Sequence, residues 1–244
     1  MDERASQPWA HRRPPPPGPH LERHLRRLQP EAVVRAALEV LDRAGLDDLS
    51  VRLVAERLGV RAPALYWHFR NKRALLDEMA EAMLADRATE LGLPAEHELW
   101  WEWLARSARW LRRALLARRD GARVFAGAPL PSLPTFLGVM DLTLGVLRRA
   151  GFSWNEALRA LAVVHVYVVG ATIEEQALPP PGTVEALRET FPDRDRYPSL
   201  AAGLAHFDQD PGSVFEHGLQ LLLTGLRADR PESWPPTLHP QERR

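Results

Sequence analysis

The sequence predicts an all-α protein with a small head of three short helices and a larger helical body. Three observations predict it. Apolar residues recur at three- and four-residue intervals through most of the chain. Ser, Asn, Pro and Gly fall where such segments begin and end. No run alternates apolar and polar residues as a half-buried strand does.

The first periodic segment covers 30–44, with Val33, Val34, Ala37, Leu38 and Leu41 on one face, Pro30 in its first turn and Gly45 as its stop. Ser50 opens a second, short helix to Leu58, where its hydroxyl accepts from an otherwise unpaired first-turn amide, and Gly59 closes it. A third helix follows over 63–69, with Pro63 near its start. Asn71 opens a longer helix to about Glu90, striped by Leu75, Leu76, Met79 and Met83. After the punctuation of Gly92 and Pro94, helices are expected over 96–117, 120–126, 132–150, 154–176, 200–207 and 213–228. A polar stretch over 179–198 reads as a loop. The chain thus divides into a disordered Pro/Arg-rich tail (1–27), the head (28–73), the body (74–228) and a frayed tail (229–244).

Composition narrows the function classes. The 244 residues contain no cysteine, which excludes disulfides and thiolate metal sites. The N-terminal residues lack the apolar core of a signal peptide, and the most apolar run, 160–173, suits a buried helix better than a membrane span. A soluble cytoplasmic protein without a membrane partner is expected. The net charge is zero, yet residues 1–73 carry 14 basic against 9 acidic groups and the remainder 18 against 23. A basic head on an acidic body fits a nucleic-acid reader. There is no Gly-rich phosphate loop, no G-x-S-x-G and no H-E-x-x-H, and the histidines lack metal-ligand spacing. No enzyme activity, cofactor or metal is expected.

Residues 50–69, SVRLVAERLGVRAPALYWHF, have the pattern of a helix-turn-helix. Ala55 is small where two backbones approach, Gly59 makes the turn, and Val54, Leu58, Val60 and Leu65 fill the wedge between the helices. The same spacing also describes a plain helical corner. The exposed side chains favour DNA: Arg52 suits a bidentate guanine or phosphate contact, and Tyr66, His68 and Lys72 offer hydrogen bonds or charge to phosphates. Trp67 reads either as a groove-side aromatic or as buried against the first helix, and His68 equally as a solvated imidazole. The basic cluster Arg23, Arg26 and Arg27 is either a phosphate-tracking arm or a solvated face.

LYWHFRNKRALL (65–76) closely resembles the end of the recognition helix and the next helix of the tetracycline-repressor (TetR) family. The likeness continues, in the family's order, through ALLARRDGARV (114–124), AGFSWNEALRAL (150–161), GATIEEQ (170–176) and HFDQDPGSVFEHGLQLLLTGL (206–226), and spans 28–226. It implies a homodimeric, ligand-responsive repressor that binds a near-palindromic double-stranded DNA operator, with a larger helical ligand-binding and dimerisation domain behind the head. It places Arg52, Pro63, Tyr66, Trp67, His68 and Lys72 at the family's DNA-contact positions. Val51, Ala62 and Ala64 stand where tetracycline repressors carry Thr, Gln and Thr, so a different operator is expected, with Ala62 and Ala64 left to touch thymine methyls.

The resemblance also carries an effector site, and here the sequence departs from it. Phe125 occupies the place of a magnesium-holding histidine, Ala88 that of a drug-contacting histidine, Ser107 that of an asparagine, and Ala128, Pro129 and Leu130 that of a Thr-Arg-Pro loop. Glu174 retains a glutamate placed near the metal's waters, though a solvated helix end explains it as well. A phenyl ring has no lone pair for a hard cation, so magnesium–tetracycline is not the expected effector. The pocket expected instead is apolar: Leu104, Ser107, Leu111, Phe125, Leu130, Val139 and His165, with Leu200 and Leu204 from a second subunit. His165, on an apolar run, reads either as a hydrogen-bonded core histidine or as a ligand contact. The helix after Asn71 joins head to body and is the expected lever. Residues 160–173 and the last helix, with Leu219, Leu221, Leu222, Leu223 and Leu226, are apolar on too many sides for one chain to cover. An enzyme is the main rival class, and a protein-binding or ligand-sequestering dimer without DNA affinity is the second.

Overall fold

A computed structural model describes residues 29–178, 196–207 and 210–228. Both expected tails, the Arg23, Arg26 and Arg27 cluster, and most of the 179–198 stretch lie outside the described residues. Ten α-helices and two short 3-10 helices account for the described fold, and no strand occurs among the described residues.

The head opens with α1, Pro30–Ala44, which has Pro30 in its first turn and ends at Gly45 with φ +83°. Helix α2, Val51–Arg57, is capped by Ser50, whose side chain accepts from the Leu53 N–H. The segment expected as a third α-helix is a 3-10 helix, Ala62–Trp67. Its six residues close i to i+3 rings, Ala64 N–H to Arg61 carbonyl and His68 N–H to Leu65 carbonyl, and Pro63 gives no amide to a four-residue ladder. Val33, Ala37, Leu41, Val54 and Leu65 are buried where these pieces meet.

Asn71 caps α3, Lys72–Ala85, by accepting from the Ala74 N–H. This helix stops five residues short of the expected Glu90, and a separate turn, α4, spans Ala88–Leu91. The break is held from the body: the Trp110 indole donates to the Arg87 carbonyl at 2.7 Å, and the Arg106 guanidinium takes the carbonyls of Leu91 and Leu93. Helix α5, Trp100–Leu116, also starts later than expected, because Glu98 folds back onto Arg106 at 2.6 Å and onto the Ala95 N–H at 3.0 Å.

The body continues with α6 (Gly121–Gly127), α7 (Pro134–Arg149), α8 (Trp154–Ala177), α9 (Pro198–His206) and α10 (Pro211–Arg227). Ser153 and Glu156 cap α8 reciprocally, side chain to backbone at 3.3 and 2.7 Å. By length and hydropathy α8 alone among the described helices is apolar enough to cross a membrane. Here it packs against α5, α6, α7 and α10. Its outer face, with Val163 and Val166, stays exposed in the single chain, as do Val214 and Leu221 on the adjoining α10. The Tyr167 ring stacks on Phe215 at 5.6 Å and its hydroxyl donates to the Phe215 carbonyl at 2.8 Å. A Cβ at 218 would overlap the Tyr167 ring, so a larger residue there must displace it.

One apolar core runs from α1 to α10 without a break at the expected 73/74 boundary, because α3 packs on α1 from one side and on α6 and α7 from the other. At its centre Trp103 is fully buried, with its indole donating to the Thr143 hydroxyl at 3.0 Å.

Candidate functional site

The head presents one polar, aromatic surface. Arg52 projects from the start of α2 and lies beside Glu56 one turn on at 3.0 Å, with its side chain 85% exposed. Along and after the 3-10 helix, Pro63, Tyr66 and Trp67 are exposed and Ala62 is partly so. Trp67 is 68% exposed, so it is not packed against the first helix. Lys72 is exposed at the first turn of α3. His68 is half-buried, and its Nε2 lacks a hydrogen-bond partner. Ala64 departs from the expected set: it is 5% exposed and turned inward, so its methyl has no access to a groove.

The second feature is a cavity of about 500 Å³ between α6, α7 and α8. Phe125, Leu130 and His165 of the expected set line it. Further walls were missed from sequence, among them Leu133, Phe136, Met140, Leu158 and Leu161. Phe136 meets Phe125 edge-on at 5.2 Å and lies 5.0 Å from the His165 ring. Leu104, Ser107, Leu111 and Val139 line a narrower cleft of about 30 Å³ behind it, which shares Phe136, Met140, Leu161 and His165 with the larger space. Leu200 and Leu204 of the same chain line neither space, and Leu200 is exposed. Glu174 is also exposed and faces neither cavity. Its neighbour Glu175 instead pairs with Arg112 at 2.8 Å.

These walls do not suit magnesium. The position expected to hold the ion is a phenyl ring wedged between Phe136 and His165, and no cluster of three or more His, Cys, Asp or Glu is placed to hold a metal among the described residues.

A third feature joins the other two. Asp120, just before α6, adopts a left-handed conformation with φ +55°, and its carboxylate accepts from the Leu46 N–H of the head at 2.9 Å. Arg118 reaches Asp42 at 2.7 Å, and Arg123 forks onto Asp47 at 2.8 and 3.2 Å. The Arg123 guanidinium holds the Asp47 carboxyl below its usual value. Gln176, near the end of α8, braces the same corner: its amide donates to the Leu115 and Arg118 carbonyls and its oxygen accepts from the Ala122 N–H. Gly121 is obligatory here, since a Cβ would overlap the Leu115 carbonyl oxygen. Helix α6 therefore carries Phe125 into the cavity while Arg123 on the same seven residues grips the head.

Comparisons with known proteins agree on one family. Residues 33–79 match the bacterial regulatory proteins of the tetR family, and residues 93–230 match the tetracyclin repressor-like C-terminal domain. The chain is 44% identical over 209 residues to the tetracycline repressor protein class A from transposon 1721 of Escherichia coli, covering 84% of this chain and 94% of that one. It is 44% identical, with a TM-score of 0.75, to the crystal structure of a possible TetR family transcriptional regulator from Streptomyces coelicolor A3(2), covering 83% of this chain and all of that chain. A structure of class A TetR in complex with 5a,6-anhydrotetracycline and magnesium is 41% identical, with a TM-score of 0.62, over 84% of this chain and all of that one. The chain belongs to the TetR family of transcriptional regulators, with an N-terminal DNA-binding head and a C-terminal tetracycline-repressor-like body.

Proposed function

We propose that this regulator is a cytoplasmic, homodimeric repressor, not an enzyme, released from its operator by a neutral hydrophobic effector rather than by magnesium–tetracycline. The observation that carries the effector assignment is the cavity lining. Among the described residues that line it, none carries a carboxylate, guanidinium or ammonium group. A charged ligand would lose its hydration there with nothing to replace it, whereas an apolar one gains roughly 25 cal/mol per Å² of surface buried.

Two heads are needed to read two half-sites about 34–36 Å apart. The exposed stripe of Val163 and Val166 beside Val214 and Leu221 supplies a self-complementary apolar face for pairing. In the dimer Leu200 and Leu204 would come from the other subunit. The head meets DNA with Arg52, Pro63, Tyr66, Trp67, His68 and Lys72, Ala62 flanking them.

Release follows from differential affinity. An effector that wedges Phe125 favours a position of α6 in which Asp120, Arg118 and Arg123 no longer hold the head in its operator-binding pose, and the population shifts by that difference. The α3 helix moves with it, as it packs on both units.

The test combines a gel shift on DNA flanking the protein's own coding region with addition of anhydrotetracycline, with and without magnesium. A specific shifted band, indifferent to the drug and to the ion, is expected. Magnesium-dependent release would overturn the effector assignment. Absence of any preferred duplex would favour a DNA-silent dimer.

A further inference from the structure

The effector cavity holds one nitrogen-bearing side chain in an otherwise apolar wall among the described residues. Among the described residues that line it, only His165 carries a side-chain nitrogen or oxygen. This imidazole lies 5.0 Å from the Phe136 ring and 5.7 Å from Phe125, centroid to centroid. Its Nδ1 is sealed from solvent and has no hydrogen-bond partner among the described residues. The histidine is therefore not a satisfied core residue, and the two ring nitrogens differ. A proton on Nδ1 would be a buried donor with no acceptor, so the neutral ring keeps its proton on Nε2.

We propose that His165 is the polar anchor of this cavity, donating from Nε2 to a hydrogen-bond acceptor on an otherwise apolar aromatic effector. The inference rests on the reading of the cavity as a hydrophobic effector site and names the ligand's chemistry. Burial lowers the affinity of this imidazole for a second proton, which keeps the ring in the form that donates once. Phe125 and Phe136, edge-on to each other, offer a face and an edge to a flat conjugated frame. A ketone or quinone oxygen on that frame meets the one side-chain donor among the described walls. A plain hydrocarbon of the same shape leaves that donor unpaired.

The test uses the full-length protein and two probes of one tricyclic shape, 9-fluorenone and fluorene, with binding measured by equilibrium dialysis. Fluorenone is expected to bind about three- to tenfold more tightly, the usual worth of one net hydrogen bond. In His165→Leu that preference disappears while fluorene binding remains, and in His165→Gln, which restores a donor, part of it returns. Nitrogen-15 spectra of the imidazole give a second reading that needs no variant: Nε2 carries the proton and shifts with fluorenone but not with fluorene. Equal binding of both probes, a preference that survives in His165→Leu, or a proton on Nδ1 would overturn the anchor while leaving the hydrophobic site standing. Failure of both probes to bind would overturn the site and the anchor together.

Discussion

Arg123 forks onto Asp47 from the same short helix on which Phe125, two residues later, walls the cavity. The cavity wall and the grip on the head therefore share seven residues, Gly121–Gly127. The pair is exposed, so salt screens it and it adds little to folding. Its value is in fixing where the head sits. In Arg123→Ala the urea midpoint is expected to change little, while the gap in operator affinity between the free and effector-bound protein narrows. Anisotropy titrations on labelled operator check this.

Asp120 is the firmer part of the same corner. Asp120→Ala loses the bond to the Leu46 N–H and puts a plain Cβ residue into a left-handed backbone, at a combined cost of about 2–3 kcal/mol. Asp120→Gly removes the strain but not the lost bond, so it should be the milder of the two in urea denaturation.

At the DNA face, Arg52→Ala is expected to lower specific operator affinity by about 1–3 kcal/mol and to relax preference at one base pair. Lys72→Ala should weaken all duplexes alike and reduce the slope of log affinity against log salt by about one. Affinities measured across a salt series separate the two roles.

Thr143→Val leaves the buried Trp103 indole N–H without an acceptor at nearly constant volume. A destabilisation of about 1–3 kcal/mol is expected, and Thr143→Ser should recover most of it. Chemical denaturation of both variants is the measurement.

Burial holds the His165 imidazole below its ordinary value of 6.5. As the pH falls through that value the unfolded chain takes up a proton the folded chain refuses, so stability drops toward acid until the folded-state value is passed, and above about 6.5 the histidine contributes no slope. His165→Leu should flatten this part of the curve. Urea titrations from neutral pH downward show whether it does.

Much of this was legible in the sequence because the signals were local. Pro30, Gly45, Ser50, Asn71 and Ser153 each act within one helical turn, and the helix ends they mark are where the structure has them. The early stop of α3 was not legible, since Trp110 takes the Arg87 carbonyl just past its end from far along the chain. The recognition segment kept its place but tightened to a 3-10 helix, a choice between neighbouring hydrogen-bond patterns that spacing does not make. Within the candidate site, Phe125 was reached by position, whereas Phe136 and Met140 were hidden in an ordinary apolar stripe of α7. Ala64 faced inward because a six-residue 3-10 turn puts successive side chains at different angles from those of an α-helix. The ties of Arg118, Asp120 and Arg123 to the head span more than 70 residues of sequence, beyond the reach of any periodicity.

The bare stripe on α8 and α10 has a physiological side. If two chains hide it together, dilution exposes oily surface on each, and folding free energy becomes a function of protein concentration. A cell that makes few copies then has less occupied operator and, separately, a shorter-lived protein. Repression of this kind switches on above a threshold of synthesis rather than in proportion to it.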